Sequence, residues 1–547
     1  MKKALTSFLL LITFSANANV TIIDNVSGYT STDSGIQSFS SIAFDDAGRI
    51  VGTNVDVEAF DGATVIDGQG RVVLPGLTDA HAHVSSLGIL QVSLDLFGVD
   101  SLEEAVARIA AFAENNKGSG WVKGRGWNQV LWESNEFPTA ADIDAVVADR
   151  PVWLRRVDGH AGWANSKAME LAGIDKDTPD PVGGKIIRDD NGNATGVLID
   201  KAMYMVEEQV PEITKAELRV AYGKAIALVN SLGITGVHDA GISKTDAEVL
   251  IAMADDGELN LRFYGMVSGS GENLDAIGKP LVAYGNDRLD IRSVKLYQDG
   301  ALGSRGAAML EPYSDDPENY GLPFWTQDEL DAKVAKANGL GFQVGVHAIG
   351  DKGNQMVLNS FDKVQEGKPS ELRNRVEHSQ IVTLDDIPRF AELGVIASMQ
   401  PVHATSDMNM AEDRVGPERI KGAYAWRKFL EAGVVVASGS DFPVELANPF
   451  HGLYAAVSRQ DRGGMPEGGW YAEESLTRAE ALHSFTLAAA YAALQEDRLG
   501  SLETGKWADF IVIDRDFFEV DVYEIDDIEV IETWIGGQKV YTREAAE

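Results

Sequence analysis

The sequence predicts an α/β fold, a (β/α)₈ barrel of the TIM type that carries a small β-sandwich built from both ends of the chain. In the central part, amphipathic helices alternate with short, nearly continuous apolar strands, and eight such strands can be identified. Both ends contain short alternating segments rich in β-branched residues and separated by turn signals. Helices that alternate with apolar strands indicate a parallel sheet with both faces covered, and eight strands close a barrel.

The central units begin with a capping pattern, in which a Thr side chain and an acidic residue three positions later satisfy the first amides of a helix. Such openings occur at Thr214-x-x-Glu217, Thr326-x-x-Glu329 and Thr383-x-x-Asp386. Each helix ends at glycine, and an apolar strand that finishes on a polar residue follows. The predicted barrel strands are 72–79, 234–239, 261–267, 291–297, 342–347, 375–378, 395–400 and 434–441.

These patterns divide the chain into segments. We expect a signal peptide at 1–18, the first part of the sandwich at 19–71, the barrel at 72–495 and the second part of the sandwich at 496–547. About 150 residues separate the first two strands, more than a simple connection needs. They contain the capping pattern Ser101-x-x-Glu104 and many tryptophans, and predict a subdomain inserted at about 95–215 over the barrel mouth.

Composition bounds the function. The 547 residues are 44% hydrophobic and carry a formal charge of −37, from 47 basic and 84 acidic residues. The electrostatic field of such a negative charge repels nucleic-acid phosphates and anionic lipids. We therefore expect a small-molecule substrate, no nucleic-acid partner and no membrane anchor. A highly solvated surface explains the acidity without any claim about cationic substrates. The sequence leaves open whether the chain forms a homo-oligomer.

The first eighteen residues differ from the rest. Lys2 and Lys3 precede a short apolar run, and Ala16-Asn17-Ala18 has the form of a cleavage site. This arrangement is typical of a secretory signal peptide and predicts a periplasmic or secreted protein. The chain contains no cysteine, so a bound metal would be held by nitrogen and oxygen ligands.

Metal-ligating residue types fall at the ends of the predicted strands. His81 and His83 lie two residues apart in LPGLTDAHAH, a spacing that points both imidazoles to the same side of a strand. Taken alone, the pair is equally compatible with two ordinary polar residues. Similar candidates follow later strands, where a barrel enzyme places its chemistry: Lys295, His347, His378 and Asp441.

Eight motifs match one family in order along nearly the whole chain: LPGLTDAHAH, GITGVHDAG, VKLYQDGALGSR, VGVHAIGD, RVEHSQ, SMQPVHATSD, SGSDFPVE and GSLETGKWADFIVID. The sequence resembles the amidohydrolase superfamily, within it the YtcJ-like and N-substituted formamide deformylase-like group, amidohydrolase family 3. The resemblance implies the barrel-and-sandwich architecture and a divalent metal, with Zn²⁺ expected at one or two ions per chain. The implied ligands are His81, His83, His347, His378 and Asp441.

Lys295 requires a separate account, because an ordinary protonated lysine cannot bind a cation. In the wider superfamily the fourth-strand lysine is commonly carboxylated by CO₂, and its carbamate bridges two metals. The resemblance favours this carbamate on Lys295. The alternative is a buried ammonium paired with Asp299.

The resemblance implies an exported hydrolase that cleaves a non-peptide C–N bond of N-acyl, N-formyl or carbamoyl type, with linear amides favoured. Metal-activated water would attack the carbonyl, Asp441 would transfer the proton, and His378 or His403 would stabilise the oxyanion. Two alternatives stay open. The same site could hydrolyse esters or lactones, or the chain could be a non-catalytic periplasmic binding protein.

Six further residues are predicted to contact substrate: Trp127, Asp158, His160, Arg305, Gln400 and His403. For any single tryptophan, Trp127 included, a place in the local core is the more common role. Arg305 could bind a substrate carboxylate with two hydrogen bonds or hold its own loop in place. His238, at the end of the second strand, is assigned equally to the barrel interior and to substrate contact.

Overall fold

The protein is described by a computed structural model that covers residues 19–117 and 120–544. The predicted signal peptide at 1–18 lies outside the described residues. The chain divides into two compact units, one formed by the chain up to His83 together with residues from Ile226 onward, and one formed by Val84–Ala225. We call them the barrel unit and the insertion unit. No described helix has both the length and the apolar character that crossing a membrane requires.

The barrel unit contains two sheets outside the barrel, which share one apolar core around Phe44, Phe510 and Trp534. The strand order of the first is Ile50–Thr53, Ile42–Asp45, Val20–Asp24, Thr64–Asp67. That of the second is Gln538–Thr542, Val530–Ile535, Phe510–Ile513, Val72–Pro75, Ser27–Thr32, Gly35–Phe39. Strands from both chain ends therefore pair within one sheet.

The strand Val72–Pro75 corrects one prediction. Sequence analysis assigned 72–79 to a single barrel strand, but Val72–Pro75 pairs antiparallel with Phe510–Ile513 in the sandwich. The first barrel strand is Leu77–Ala82. Pro75 and Gly76 separate the two, and a Cβ at Gly76 would lie 2.2 Å from Thr235 Oγ1, so the chain needs glycine where it changes sheets. The sandwich therefore extends past the predicted boundary at residue 71.

The eight parallel strands of the predicted barrel are present, and the fold class is confirmed. In chain order, barrel strands 1 to 8 are Leu77–Ala82, Ile234–Ile242, Arg262–Ser268, Leu289–Tyr297, Gln343–Ala348, Arg375–His378, Ile396–Met399 and Val436–Ser438. Each pairs with the next by a parallel ladder. Beyond strand 8, Asp441 N donates to His81 O at 2.7 Å and brings the two ends of the sheet together.

Helices follow the strands, as a barrel requires. The capping patterns at Thr214 and Thr326 form as predicted, with Glu217 and Glu329 accepting from the backbone amides of the two threonines. The helices of the barrel unit beyond Gly233 are Lys244–Asp255, Glu272–Ile277, Tyr284–Asp287, Gln327–Gly339, Asp351–Gln365, Ile387–Leu393, Pro401–Asp407, Ala411–Arg419, Trp426–Glu431, Pro449–Ser458, Arg478–Ser484 and Leu487–Ala492.

The insertion unit has its own sheet and its own core. Its strand order is Gly184–Arg188, Ala194–Asp200, Ala161–Ala164, Val152–Arg156, Val122–Trp127, Leu94–Asp95. Its helices are Val84–Val92, Leu102–Asn115, Ala140–Asp144, Ser166–Leu171 and Tyr204–Glu207, and the helix Lys215–Ser231 continues into the barrel unit. The compact unit is longer than the 95–215 expected from the sequence, because its first helix begins directly after His83.

A buried ion pair links barrel strand 3 to the sandwich. Arg262 Nη2 donates to Asp509 Oδ1 at 2.7 Å and Nε donates to the other carboxylate oxygen, while Gly536 N donates to Asp509 at 2.7 Å. Asp509→Ala leaves the Arg262 charge buried, and we expect it to lower the free energy of unfolding by about 3–5 kcal/mol. Denaturant or thermal unfolding measures this loss. The exposed pair Glu418–Lys421 provides the control, because Glu418→Ala should change stability little. Equal stability of the two variants would contradict this account.

Candidate metal centre

All six predicted ligands lie at or just past the carboxyl ends of barrel strands. His81 and His83 end strand 1, and Lys295 lies near the end of strand 4. His347, His378 and Asp441 end or follow strands 5, 6 and 8. Parallel strands that close into a barrel bring their carboxyl ends to one rim, so these residues share one end of the barrel.

The side chains of His81, His378 and Asp441 form the centre of this group. Each contributes one nitrogen or oxygen atom, and these atoms lie within 4.8 Å of one another. Asp441 Oδ1 is 3.6 Å from His81 Nε2 and 3.2 Å from His83 Nε2. The ring of His347 is 4.5 Å from that of His378, measured between centroids. Lys295 Nζ lies 3.0 Å from His81 Nε2.

His81 is held by a buried carboxylate that the sequence analysis did not identify. His81 Nδ1 lies 2.6 Å from Glu377 Oε2, and both side chains are fully buried. Arg375 donates to the same carboxylate through Nε at 2.7 Å and Nη2 at 3.1 Å. Since the carboxylate accepts a hydrogen bond from Nδ1–H, the lone pair of His81 is on Nε2, which faces the other predicted ligands.

Burial, with the Lys295 charge adding to it, lowers the pKa of His81 to about 4, so its imidazole is neutral at physiological pH. Burial alone would raise the pKa of Glu377, but the Arg375 guanidinium and His81 hold it well below its usual range. A neutral imidazole beside an ionised carboxylate is the state in which histidine binds a cation.

His378 is oriented in the same way. Its Nδ1 lies 2.7 Å from Gln400 Oε1, an atom that only accepts hydrogen bonds, so the Nε2 lone pair is free. Burial and the neighbouring His347 lower its pKa well below the ordinary value. The backbone of His378 has φ 77° and that of Asp441 has φ 62°. Two left-handed residues other than glycine at one rim are a form of strain that concentrates at functional sites.

Asp441 carries the negative charge of the centre. Burial alone would raise its pKa, but contact with His83 and the proximity of the His81 and His403 imidazoles hold the pKa well below its ordinary value. Its Oδ1 atom is buried and accepts no well-formed hydrogen bond from the described residues. A buried, ionised oxygen without a donor is unfavourable unless a cation compensates it.

Asp79 joins strand 1 to the segment that carries Asp441. Its carboxylate accepts from Ser440 Oγ at 2.6 Å and from His81 N at 3.0 Å. Burial raises the pKa of Asp79 to about 7. A Cβ on Gly439 would lie 2.4 Å from His81 N, so the two segments meet this closely only with glycine there.

Lys295 does not pair with Asp299, so the ion pair considered in that alternative is wrong. The Asp299 carboxylate accepts hydrogen bonds from the backbone amides of Ile349 at 2.9 Å and Gly350 at 2.8 Å. It therefore holds the loop after strand 5. Lys295 is buried instead beside His81, and burial lowers the pKa of its amine to about 8.

His403 follows strand 7 and completes the rim. Gln380 Nε2 is 3.2 Å from His403 Nδ1, so this ring nitrogen accepts and the proton lies on Nε2. His403 Nε2 is buried, has no hydrogen-bond partner among the described residues and lies 3.8 Å from Asp441 Oδ2. Tyr424, which donates to Asp407 at 2.6 Å, packs beyond Gln380. The Nε2–H group of His403 is therefore a donor, unpaired within the described residues, beside the cluster of His81, His378 and Asp441.

The sequence matches the amidohydrolase family over residues 64–541, which is most of the chain. The chain belongs to the amidohydrolase family. It is 35% identical to Protein LONG AFTER FAR-RED 3 of Arabidopsis thaliana, covering 92% of this chain and 89% of that protein. It is 33% identical to the putative amidohydrolase YtcJ of Bacillus subtilis, with 87% and 90% covered, and 28% identical to the N-substituted formamide deformylase of Arthrobacter pascens, with 90% and 93% covered.

A solved structure of similar architecture is that of an uncharacterized metal-dependent hydrolase from Pyrococcus furiosus. It superposes with a TM-score of 0.77 at 29% identity, and the match covers 91% of this chain and all of that one. The resemblance to YtcJ-like amidohydrolases is thereby confirmed, as is the barrel architecture. The hydrolase class and its dependence on a metal follow from the family.

The side chains of this amidohydrolase fit a divalent cation. Two neutral imidazoles present Nε2 lone pairs, and Asp441 contributes an ionised oxygen that accepts no well-formed hydrogen bond from the described residues. Nitrogen and oxygen ligands of this kind suit Zn²⁺ and its neighbours among the divalent metals. His81, His378 and Asp441 would hold the ion, with His83, His347 and Lys295 adjacent.

The six residues predicted to contact substrate fall into three groups. Gln400 and His403 lie at the rim of the amidohydrolase barrel, in contact with His378 and Gln380. Arg305 is outside that group, because its guanidinium donates to Asp315 at 3.1 and 2.8 Å and is therefore already paired. That pairing matches the second role considered for it, holding its loop.

Three predicted substrate contacts belong to the insertion unit. Trp127 is fully buried in its core and its indole N–H donates to Leu154 O at 2.8 Å. Asp158 pairs with Arg156. His160 is exposed and lies 2.8 Å from Asp200. Trp127 thus has the core role that the sequence left open, and substrate contact by Asp158 and His160 stays a prediction.

Glu377 offers a direct test of the amidohydrolase site. Glu377→Gln keeps the shape but removes the charge that fixes His81 and neutralises Arg375, so we expect the metal to bind about 10- to 100-fold more weakly. Competition with a chelator of known affinity measures this change. The exposed Glu371→Gln, six residues earlier, provides a matched control. Unchanged metal affinity in a folded Glu377→Gln protein would show that the carboxylate does not orient the ligand.

Proposed function

We propose that the protein is an exported, metal-dependent amidohydrolase that cleaves a non-peptide C–N bond of the N-acyl, N-formyl or carbamoyl type, with linear amides as preferred substrates. The observation that carries the proposal is the group of His81, His378 and Asp441, whose donor atoms lie within 4.8 Å at the barrel rim. The name of the Arthrobacter relative, an N-substituted formamide deformylase, supports the choice of bond. The acidic surface supports a small-molecule substrate.

We assign Zn²⁺ as the resident metal, at one or two ions per chain, because imidazole and carboxylate ligands favour it. A divalent cation in this position supplies a Lewis acid that polarises the substrate carbonyl and acidifies water. His81, His83, His347, His378 and Asp441 are the proposed ligands. Their protein contacts, above all Glu377 on His81 and Gln400 on His378, keep the required tautomers.

Lys295 is proposed to complete a two-metal site as a carbamate. Burial lowers the pKa of its amine to about 8, which raises the fraction of free amine that can form a bond to the carbon of CO₂ with loss of a proton. The product carries a negative charge and two oxygen ligands beside His81. A crystal structure of protein grown with bicarbonate tests this step. An unmodified lysine beside one metal would exclude the two-metal version.

Asp441 is the proposed proton carrier. Its low pKa keeps it ionised, and His83 and His403 lie within 3.8 Å of its two oxygens. In the forward reaction the C–O bond to water forms, Asp441 accepts a water proton, and the proton then passes to the leaving nitrogen as the C–N bond breaks. The products are an amine and the acid of the cleaved carbonyl group, which is a carboxylic acid from an N-acyl substrate, formate from a formamide and carbamic acid from a carbamoyl substrate.

His403 is the proposed donor to the developing oxyanion. Gln380 fixes the proton on Nε2, and that N–H has no partner among the described residues. A neutral donor held in place before the reaction stabilises negative charge that appears only in the transition state. His378, the other candidate from the sequence, is engaged with Gln400 through one nitrogen and faces the ligand cluster through the other.

A hydrolysis screen tests the reaction class. Metal-loaded protein is offered N-formyl amines, N-acyl amino acids, carbamates, esters and lactones, with the Asp441→Asn protein as the background. Turnover of amide or carbamate substrates above that background is the expected result. Turnover confined to esters or lactones would replace the proposed reaction, and tight binding without any turnover would identify a binding protein.

Export is proposed on composition alone, because Lys2, Lys3 and the Ala16-Asn17-Ala18 site lie outside the described residues. Full-length protein produced in a Gram-negative host should lose its first eighteen residues and collect in the periplasm. An uncleaved protein retained in the cytoplasm would contradict this proposal.

A further inference from the structure

The insertion unit contains a cavity of about 390 Å³ on one face of its sheet. Polar side chains of the strands Val122–Trp127 and Val152–Arg156 form one wall. Aliphatic side chains form another: Ile89, Leu90 and Val210. All of its lining residues belong to the insertion unit, and none of them is among the proposed metal ligands.

Strand register places the cationic side chains of this wall together. Lys123 pairs with Trp153 and Arg125 pairs with Arg155 in the parallel ladder. Alternate residues of a strand share a face, so these four side chains lie on the same side of the sheet. Val122, Val152 and Leu154 point to the other side, into the apolar core. The cavity therefore has three cations and one indole on adjacent strands.

The charges of the cavity are only partly balanced by protein carboxylates. Arg155 donates to Glu207 Oε1 at 2.8 Å. Lys123 forms no ion pair within the described chain, although Glu217, held by Thr214, is near enough to interact electrostatically. Arg125 stacks near Phe97, with its guanidinium carbon 5.2 Å from the ring centroid, and has no carboxylate partner in residues 19–117 and 120–544.

Two buried N–H groups on this wall lack acceptors. Arg125 Nε and Trp153 Nε1 are both buried and neither has a hydrogen-bond partner in the described part of the chain. Trp153 is 4% exposed. Buried donors are almost always paired in folded proteins, so these two donors need an acceptor that the described chain does not supply.

We propose that this cavity is a binding site for a small organic carboxylate with a short apolar tail. The carboxylate oxygens accept from Arg125 and Trp153, Arg125 and Lys123 compensate the charge, and the tail packs against Ile89, Leu90 and Val210. Donors without acceptors exclude a cationic ligand, and the aliphatic wall favours a ligand with a tail over a bare inorganic anion. The site does not depend on the proposed hydrolase activity.

Soaking a crystal of the purified protein, containing both the barrel unit and the insertion unit, in 5-bromopentanoate locates the site, because bromine gives an anomalous signal. We expect bromine in the cavity, with the carboxylate at Arg125 and Trp153. In solution, calorimetric titration should give saturable binding of pentanoate and binding about tenfold weaker or more for pentanamide, which has no charge. Bromine found only at the barrel rim or on the surface, or equal affinity for the amide, would overturn the proposal.

Two variants test the individual donors. Trp153→Phe removes the indole N–H and keeps an aromatic ring, and Arg125→Met removes the charge, so each should weaken pentanoate binding about tenfold. Arg108→Met, which alters an exposed arginine paired with Glu104 in the same unit, should bind like the parent. Unchanged affinity in folded Trp153→Phe and Arg125→Met proteins would refute the assignment. If either variant fails to fold, the crystal soak and the amide comparison still decide.

Discussion

The double variant His81→Ala plus His83→Ala should lose both its metal and its turnover. Removing these side chains deletes the Nε2 lone pair of the fully buried His81, which is proposed to bind the metal. It also deletes the His83 imidazole, which lies 3.2 Å from Asp441. It also leaves the Glu377 carboxylate without the ring that it orients. Because the reaction requires the cation, we expect the rate to fall by about a thousandfold or more, to the level of the uncatalysed background.

Metal content by elemental mass spectrometry and initial rates on the best screened substrate measure the two effects separately. His160→Ala is the matched control for metal content, since His160 lies in the insertion unit and contacts Asp200 rather than the ligand cluster. It should retain the parent's metal. Turnover that survives in the double variant would refute the site.

Asp441→Asn should retain much of the metal and lose most of the turnover. The amide has nearly the shape of the carboxylate but cannot accept the proton that the reaction must move. General base catalysis by one side chain contributes about 10²- to 10⁴-fold, so we expect kcat to fall by that factor while KM changes little. Steady-state kinetics on metal-saturated protein measure both constants.

The exposed Asp413→Asn controls for the loss of one negative charge. A rise in KM with unchanged kcat in Asp441→Asn would mean that the side chain binds substrate and moves no proton. Loss of the metal in this variant would contradict the expected result, because the fall in turnover would then follow from the missing cation and would give no support to a proton-carrying role.

The barrel, and the position of the proposed ligands at its rim, could be predicted because both depend on order along the chain. Strands of a parallel barrel all end at one rim, so a polar residue at a strand end is placed before any side chain is known. His81 and His83 share a side because they lie two residues apart in a strand. The same logic places His347, His378 and Asp441, which follow three other strands.

The supporting contacts were not predictable in this way, because each joins residues distant in sequence. Glu377 meets His81 across 296 positions, and Asp79 meets Ser440 across 361. One signal was present: Arg375 and Glu377 are opposite charges two residues apart in a short, fully buried strand. Such charges face the same side, and in a buried strand they need partners.

Other differences arise from competition between local patterns. The apolar run at 72–79 looks continuous, but Pro75 and Gly76 divide it between two sheets. Asp299 lies four residues from Lys295, and nearness in sequence suggested an ion pair. The Asp299 carboxylate instead accepts hydrogen bonds from backbone amides of the loop after strand 5. Those amides are buried, and a buried donor left unpaired would destabilise the fold.

The most direct test of the whole account is the metal content of the purified, untreated protein. The account predicts one to two divalent ions per chain, zinc foremost, with activity that disappears on chelation and returns when metal is added back. Protein that contains no metal and still hydrolyses its substrate at the full rate would contradict it.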